Sequence, residues 1–290
     1  MTQYIFATII TPTAVAANNR GEGDGSTLST LQKITRGNDQ YTTVSADAIR
    51  WGYREYFQNT QPDKVNRTFE FDPKKNEEVY KYKNESYDAE KYIDDDLFGF
   101  MNAKKDKNNK NATVKRRGAL EVTRAISLDP FWSDVIFSSK GGERDNKSIH
   151  NTEVHCTAYQ YTLALTPNSL KDSIRAKLLL DAIPAIRHVG GNHSRFLYEF
   201  RPESIVLRIT EDPSPWIMNC FERVGDSVGC SELVRLIEAK DIDSKELIVA
   251  GKIAKSPYKE QLESLSVKVC LGIKEAIALS QEMLETEVKA

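Results

Sequence analysis

Cysteine is scarce in this chain and is never paired. Cys156, Cys220, Cys230 and Cys270 lie far apart in a chain of 290 residues, and none belongs to a Cys-x-x-Cys pair. This spacing excludes a zinc knuckle and a thioredoxin-type redox site. In a chain of this length it predicts buried free thiols in a reducing cytosol.

Long apolar runs are also missing. No run approaches the roughly 20 residues that span a bilayer. The apolar N-terminal stretch is broken by Pro12 and lacks the basic residues and the cleavage site of a signal peptide. We therefore expect a cytoplasmic protein with no membrane partner.

The chain has no excess of charge of one sign. It carries 40 Lys and Arg against 42 Asp and Glu, a formal net charge of -2. This balance excludes a protein coated in basic residues, but it allows a local basic groove, because phosphate binding depends on where the charges sit. The 40% hydrophobic fraction is enough for a sizeable core in one large domain or two small ones.

Histidine spacings typical of metal sites do not occur. His150, His155, His188 and His193 show neither a His-x-x-x-His nor a His-Glu-x-x-His pattern. The Gly190-Gly191 pair is not a nucleotide-binding loop, because no predicted helix follows it. We expect no metal and no cofactor.

The order of predicted elements indicates an α+β protein. The β-branched and aromatic run at Tyr4–Thr11 predicts a strand, and Ser45 is placed to cap a helix over residues 46–58. Further predictions are a strand over 153–166, a helix from about 170 to 189, strands over 196–210, a helix over 231–239, a strand over 247–250 and a mostly helical segment over 259–287. This order suggests a ferredoxin-like, RRM-like β-α-β-β-α-β palm enlarged by insertions.

A change in composition suggests where the main insertion lies. Residues 59–117 are rich in Lys, Glu, Asp, Asn and Tyr and poor in aliphatic residues, and the Lys104–Asn111 stretch is close to low complexity. Such a segment buries little apolar surface, so we expect a surface insertion. We predict residues 1–58 as the first half of the palm, 59–117 as a finger-like insertion, and 118–290 as the rest of the palm with a thumb-like insertion and a helical C-terminal segment.

Two regions near the N-terminus could bind a phosphate backbone. Asn18, Asn19 and Arg20 offer amide and guanidinium donors beside glycines, although the same residues are common in ordinary polar turns. Arg50 and Arg54 share a face of the predicted helix, whose N-terminus at Ser45 suits an anion. The alternative there is a solvated charged face.

Other basic residues extend this candidate site. Clustered cations favour nucleic acid, although most charge runs are solvated loops. The additional candidates are Lys33, Arg36, Lys115, Arg116 and Arg117.

Five motifs occur in an order that resembles a known family. They are Ala16–Gly21, Leu31–Gly37, Val44–Glu55, Asp95–Met101 and Lys115–Gly118. Over roughly residues 4–210 the chain resembles the DevR branch of the CRISPR Cascade backbone subunit, the type I-B-like "seven" family of Cas proteins. One departure is clear: Ala46-Asp47 stands where many relatives carry Gly-Gln, and Asp47 would repel a phosphate.

The resemblance implies a non-enzymatic protein that binds CRISPR guide RNA. Several copies would polymerise along the guide as a right-handed filament, together with other Cascade subunits, and the guide would pair with target DNA. The implied fold is an RRM-like palm with fingers and a thumb. In this picture Asn192, His193 and Arg195 lie near the thumb and could contact the guide.

Two features invite other interpretations. Asp94, Asp95 and Asp96 could serve a metal-dependent ribonuclease of related fold, but consecutive carboxylates cannot all face one ion, and the resemblance places them in a structural motif. Tyr159, Tyr161 and Phe200 could stack on bases as in an RRM sheet, but aromatic residues at alternating strand positions are mostly core. A generic RRM-like module unrelated to CRISPR is the third interpretation.

Overall fold

The computed structural model describes residues 2–18, 28–102, 114–139, 149–191, 193–194 and 196–288. In chain order the strands are β1 (Tyr4–Ile10), β2 (Ala14–Ala16), β3 (Leu28–Ser29), β4 (Lys33–Arg36), β5 (Asp39–Val44), β6 (Arg67–Asp72), β7 (Glu77–Tyr82), β8 (Gly99–Asn102), β9 (Val114–Arg117), β10 (Leu120–Val122), β11 (Ala125–Ser127), β12 (Asp134–Ser139), β13 (Ile149–Thr157), β14 (Tyr159–Leu165), β15 (Ser204–Thr210), β16 (Glu222–Val224), β17 (Ser227–Gly229), β18 (Leu247–Gly251) and β19 (Lys268–Cys270). The α-helices are α1 (Ala46–Thr60), α2 (Ile93–Phe98), α3 (Ile174–Ala182), α4 (Ser231–Glu238), α5 (Tyr258–Ser264) and α6 (Ile273–Val288). The α+β prediction is confirmed.

A central sheet organises these elements. Its strand order is β19-β18-β15-β1-β14-β11-β5-β4, and β10 also pairs with β14. Neighbouring strands are antiparallel except for β18 and β19, which are parallel. A second sheet has the order β12-β13-β2, with β3 also paired to β13, and its strand β13 leads directly into β14 of the central sheet.

Both faces of the central strands are covered. In β1, Ile5, Ala7 and Ile9 lie in the core against α1, α3 and α6, whereas Phe6 and Ile10 lie in a second core against α4 and α5. Strands buried on both faces are apolar at nearly every position, which explains the continuous apolar run of β1. Tyr159, Tyr161 and Phe200 belong to the first core, so the prediction that they are core residues is confirmed.

Helix α1 follows from its sequence. The Ser45 hydroxyl accepts a hydrogen bond from the Ala48 amide at 3.1 Å, so the predicted N-cap is confirmed. Ile49, Tyr53 and Phe57 recur every four residues and are fully buried in the first core. Burying side chains of this size stabilises the fold by about 1.5–3 kcal/mol each.

Three predicted elements differ from the structure. The strand predicted over 153–166 is two strands, β13 and β14, which separate at Ala158 and join different sheets. The helix predicted to reach residue 189 ends at Ala182, because Pro184 lacks an amide hydrogen and crowds the preceding turn. The strands predicted over 196–210 are reduced to β15.

The C-terminal segment also differs from its prediction. Instead of one helical segment over 259–287, α5 and α6 flank the short strand β19, which adds to the sheet edge beside β18. Ser266 has φ +65°, which reverses the chain after α5. No helix in the described part of the chain is both long enough and apolar enough to cross a membrane.

The cysteines are free, but they are not all buried. Cys220, Cys230 and Cys270 are buried, whereas Cys156 in β13 is exposed, so the prediction is wrong for that thiol. Its strand is at the centre of the small second sheet, where the residues on both sides of Cys156 are buried. Burial raises the pKa of the Cys230 thiol to about 12 and keeps it protonated.

Candidate nucleic-acid interface

The Asn18 loop and the start of α1 meet through Gly190. The Asn18 side-chain amide donates to the Gly190 carbonyl oxygen at 3.2 Å, and the Gly190 amide donates to the Ala48 carbonyl oxygen at 2.9 Å. Gly191 has φ +129°, and a Cβ there would lie 2.6 Å from Asn18 Oδ1, so no larger residue fits. The loop that begins at Asn18 and the start of α1, which are separate in the sequence, therefore lie side by side.

This contact uses the Asn18 side chain internally, because Asn18 is buried and holds the Gly190 turn. Asn19 and Arg20, which follow it, lie outside the described residues, as do Asn192 and Arg195. The described member of the second group, His193, has its Nε2 atom 2.7 Å from the Val189 carbonyl oxygen. Contact of these residues with RNA stays a prediction.

Three arginines line one pocket between α1 and the finger segment. Arg50 and Arg54 come from α1, and Arg67 comes from the start of β6. The pocket has a volume of about 210 Å³ and includes Tyr80 and Phe98 in its wall. We call Arg50, Arg54, Arg67 and the space between them the arginine pocket.

Carboxylates neutralise this pocket only in part. Arg50 Nη1 lies 3.1 Å from Asp47 Oδ1, but the Asp47 side chain is 92% exposed, so solvent weakens this pair. Arg54 Nε lies 3.6 Å from Asp94 Oδ2. Arg67 has no ion pair within the described part of the chain, and its guanidinium lies over the rings of Tyr80 and Tyr82.

Each of these arginines has an unsatisfied donor. Among the described residues, the Nε atoms of Arg50, Arg54 and Arg67 are buried and have no hydrogen-bond partner. Burial lowers the pKa of Arg54, and the charge of Arg67 lowers it further. An anion in the pocket would satisfy the donors and relieve this repulsion.

Arg54 is buried, although it shares a helix face with Arg50. Its guanidinium lies 4.7 Å from the centre of the Phe98 ring. The Phe98 ring belongs to the inserted segment, whose packing on α1 could not be read from helical spacing. Arg67 was missed altogether. Its only sequence signal is its position two residues before Phe69 in an alternating strand pattern.

The three consecutive aspartates organise the 59–117 segment, and Asp96 also binds residues outside it. Asp94 accepts hydrogen bonds from the backbone amides of Asn66 at 2.7 Å and Arg67 at 2.9 Å. Asp95 Oδ2 accepts from the Asn66 side-chain amide and from the Asp88 backbone amide, both at 2.9 Å. These two carboxylates fix where β6 begins.

Asp96 completes the same junction from the other side. Its carboxylate binds the guanidinium groups of Arg116 and Arg175, the second at 2.5 Å, and accepts from the Lys171 backbone amide at 2.9 Å. Arg175 also donates to the Ala89 carbonyl oxygen. We call Asp94, Asp95, Asp96, Arg116 and Arg175 the finger junction. All three aspartates therefore have hydrogen-bond partners within the fold.

Arg116 therefore has structural partners, which include the Ser169 carbonyl oxygen at 2.7 Å. Arg117 pairs with Glu121 at the surface, and Lys115 is exposed. Whether these three residues also contact RNA stays a prediction. Within the described residues, no group of three or more His, Cys, Asp or Glu side chains could hold a metal ion.

The two backbone segments at the base of the β8–β9 hairpin lie in close contact. Gly99 has φ +69°, and a Cβ there would lie 2.4 Å from both the Arg116 carbonyl oxygen and the Gly118 amide nitrogen. A Cβ on Gly118 would lie 2.5 Å from the Phe98 carbonyl carbon. Both positions require glycine.

Lys33 and Arg36 lie on β4, in a different place from the arginine pocket. Lys33 Nζ lies 2.6 Å from Glu153 Oε2 and 4.6 Å from the centre of the Phe131 ring. Arg36 is exposed at the end of the strand. Lys33 is thus neutralised within the fold, and a role for either residue in RNA binding stays a prediction.

Comparison with known proteins identifies the family. The family model described as "CRISPR-associated negative auto-regulator DevR/Csa2" matches residues 13–227. The chain belongs to this DevR/Csa2 family. A curated relative from Myxococcus xanthus (strain DK1622), "CRISPR-associated protein Cas7/Cst2/DevR", is 36% identical over 310 residues and covers 100% of both chains.

Solved structures share the DevR/Csa2 fold. A chain of a "CRISPR RNA-guided surveillance complex, pre-nicking" matches with a TM-score of 0.63 at 12% identity, over 95% of this chain and 98% of that one. A chain of a "CRISPR RNA-guided surveillance complex" matches with a TM-score of 0.58 at 14% identity, over 96% and 99%. The resemblance identified from the five motifs is confirmed at the level of the family.

Proposed function

We propose that this member of the DevR/Csa2 family is a guide-RNA-binding backbone subunit of a CRISPR surveillance complex. Several copies would lie along one guide beside other subunits, and the guide would pair with target DNA. The family match and the full-length Cas7/Cst2/DevR relative support this role. The two solved structures with this fold are RNA-guided surveillance complexes.

The arginine pocket is the observation that carries the proposal. Three guanidinium groups, each with a buried Nε–H that has no hydrogen-bond partner among the described residues, line one pocket beside α1. Phosphate oxygens are strong acceptors for guanidinium groups, which can bind them through two N–H groups at once. A guide phosphate in this pocket would be held without any base being read.

Asn18 and Gly190 extend this surface around the helix start. Their contacts to one another and to Ala48 hold the loop that begins at Asn18 beside α1. We propose that Asn19 and Arg20, which continue that loop, add donors to the same RNA backbone. Asp47, at the position where relatives carry Gln, reduces the charge of Arg50 and makes Arg67 more important in this chain.

We infer an RRM-like palm from the strand order. The sequence β1-α1-β10/β11-β14-α3-β15 with spatial order β15-β1-β14-β10/β11 supports a β-α-β-β-α-β core. We keep the division into palm (1–58 and 118–290) and fingers (59–117). The RNA would not lie on the sheet face, because helices cover it, but beside α1 and the fingers.

We propose a binding role without catalysis. A metal-dependent ribonuclease that uses Asp94, Asp95 and Asp96 is not favoured, because these carboxylates accept hydrogen bonds from amides and guanidinium groups of the finger junction. Incubation of purified protein with RNA and magnesium distinguishes the two roles, since only a ribonuclease would shorten the RNA. The free cysteines suit a reducing compartment, and we propose the cytoplasm.

Charge reversal in the arginine pocket tests the proposal. We expect Arg67→Glu to weaken binding of single-stranded RNA by about 10- to 100-fold and to reduce the slope of log affinity against log salt, because a phosphate contact is lost. Arg235→Glu is the matched control, since Arg235 is exposed on α4, the helix that packs into the second core. Filter binding at several salt concentrations measures both.

Thermal unfolding accompanies this measurement. Arg67 has no ion pair among the described residues, so the variant should stay folded, with a melting temperature lowered only modestly by repulsion between the new carboxylate and Asp95. Unchanged RNA affinity in Arg67→Glu, or an equal loss in Arg235→Glu, would contradict the proposal.

A further inference from the structure

One face of the β6–β7 hairpin is aromatic and open to solvent. Strand alternation places Arg67, Phe69 and Phe71 on this face, and the register pairs Arg67 with Tyr82 and Phe69 with Tyr80 across the hairpin. Phe71 is 59% exposed and Tyr80 is 51% exposed. We call Phe69, Phe71, Tyr80 and Tyr82 the aromatic face.

The aromatic face continues into neighbouring rings on both sides. Phe69 lies 4.9 Å from Trp51 of α1 and 4.6 Å from Tyr80, measured between ring centres. On the other side, Tyr82 lies 5.8 Å from Tyr87, which belongs to the same segment. The rings therefore form a row that runs from the palm helix along the fingers, and its central members are exposed rather than buried in a core.

The hairpin is held rigidly against the palm. The Gln58 side chain of α1 donates to the Phe69 carbonyl oxygen at 3.1 Å and accepts from the Phe69 amide at 2.8 Å. Asp94 accepts from the Arg67 amide at 2.9 Å. The Gln58 bonds tie the aromatic face to α1, and the Asp94 bond holds Arg67, which lines the arginine pocket.

Arg67 joins the two surfaces. Its guanidinium lines the arginine pocket and also lies 5.5 Å from the centre of the Tyr80 ring and 5.3 Å from that of Tyr82. Cations beside exposed rings favour a ligand that combines negative charge with flat, polarisable groups. On the opposite face of the hairpin, Lys81 and Glu70 pair with each other.

We propose that the aromatic face is a stacking platform for unpaired bases of the guide RNA. A phosphate of the guide occupies the arginine pocket, and adjacent bases stack on Tyr80 and Phe71. Single-stranded nucleic acid is commonly bound by such a combination of a cationic groove and aromatic side chains, because every base has a flat face. This platform rests on the proposed function and adds a second, uncharged contact to it.

Removal of the rings, while the apolar character is kept, tests the platform. In Phe71→Leu/Tyr80→Leu we expect a loss of affinity for single-stranded RNA of about 30-fold or more, since stacking contributes about 1–3 kcal/mol for each of the two bases. The salt dependence should not change, because no charge is removed. Tyr80→Phe keeps the ring and is the matched control, with affinity close to wild type.

A second ligand makes the test specific. An RNA of the same length that lacks bases at consecutive positions cannot stack, so the wild type and the double variant should bind it equally. An equal loss with both ligands would overturn the platform. So would unchanged RNA affinity together with lost self-association, which would make this face an interface between copies.

Two further comparisons complete the experiment: RNA with DNA, and Arg67→Glu with the double variant. If the double variant binds single-stranded DNA more weakly but guide-length RNA as tightly as wild type, the platform does not serve the guide and the proposal is wrong. A wild-type protein that binds no RNA, or one in which Arg67→Glu has no effect, overturns the proposed function itself. Weakening by Arg67→Glu without weakening by the double variant overturns the platform alone.

Discussion

The finger junction and the arginine pocket are built from the same residue types but differ in how their charges are satisfied. In the junction, Asp96 binds two guanidinium groups and a backbone amide, and Arg175 donates to Asp96 and to a carbonyl oxygen. In the pocket, Arg67 has no ion pair among the described residues, and Arg54 has a carboxylate only at 3.6 Å. Buried Nε atoms without a hydrogen-bond partner occur in both places, at Arg116 in the junction and at Arg54 and Arg67 in the pocket. The close carboxylate therefore distinguishes the junction: paired charges hold a fold together, whereas guanidinium groups without a close carboxylate leave room for an anion.

The comparison also shows why charge density along the sequence does not predict which basic side chains are available to a ligand. The Lys115-Arg116-Arg117 run is the most basic stretch of the described chain, yet Arg116 is used by the fold. Arg67 stands alone in its sequence neighbourhood, yet it lines the pocket. The number of partners that a guanidinium group already has separates the two cases.

The largest expected effect comes from opening the finger junction. Asp96→Ala leaves Arg175, whose side chain is 4% exposed, without its carboxylate. Breaking a buried pair in this way costs about 3–5 kcal/mol of unfolding free energy. Urea denaturation measures it, with the exposed Asp63→Ala as the control. A cost below about 1 kcal/mol would mean that Asp96 and Arg175 do not depend on each other in the way described.

A smaller effect should separate two neighbouring arginines. Arg116→Met removes one of the two guanidinium groups at Asp96 and should destabilise the protein by about 2 kcal/mol. Arg117→Met removes a surface pair whose arginine is 84% exposed, and it should stay within about 0.5 kcal/mol of wild type. Equal denaturation midpoints for the two variants would show that Arg116 stabilises the fold no more than the surface residue Arg117.

The smallest effect concerns the pH dependence of the junction. Burial, aided by the charge of Asp94, raises the pKa of Asp95 to about 6. The pKa in the unfolded chain is about 4, so the stability that this carboxyl contributes is fully present below about pH 4 and is lost as the pH rises through about 6.

Asp95→Asn removes this titration and keeps the acceptor for Asn66 and Asp88. Relative to wild type, the variant should gain stability between pH 4.5 and pH 7, roughly, by less than the 1.4 kcal/mol or so that one pKa unit represents, because solvent screens part of the effect. Urea midpoints at the two pH values measure the gain. Parallel pH profiles would show that Asp95 titrates normally.

Local patterns predicted the parts of the fold that depend on nearby residues. The apolar run of β1 and the Ser45 cap of α1 required only strand and capping preferences. The β13–β14 strand was predicted as one element because Ala158 continues the alternation, and only the presence of two sheets shows where it separates. The early end of α3 depends on Pro184, which the apolar periodicity outweighed.

The candidate site was predictable only where it belongs to one helix. Arg50 followed from helical spacing near a capped N-terminus, and it lines the pocket. Arg54 has the same spacing, but the packing of Phe98 buries it, which is a tertiary contact. Arg67 reaches the pocket because Asp94, 27 residues later, fixes the start of β6. A contact between residues so far apart in the sequence cannot be predicted from a local pattern.

The Gly99 and Gly118 pair has a consequence for protein engineering. Because neither position can carry a Cβ, the chain entering β8 and the chain leaving β9 lie in close contact. The 103–113 stretch is therefore a place to insert a sensor peptide or a fluorescent module, provided that both glycines are retained. In the proposed assembly, each copy would then carry one reporter at the same place.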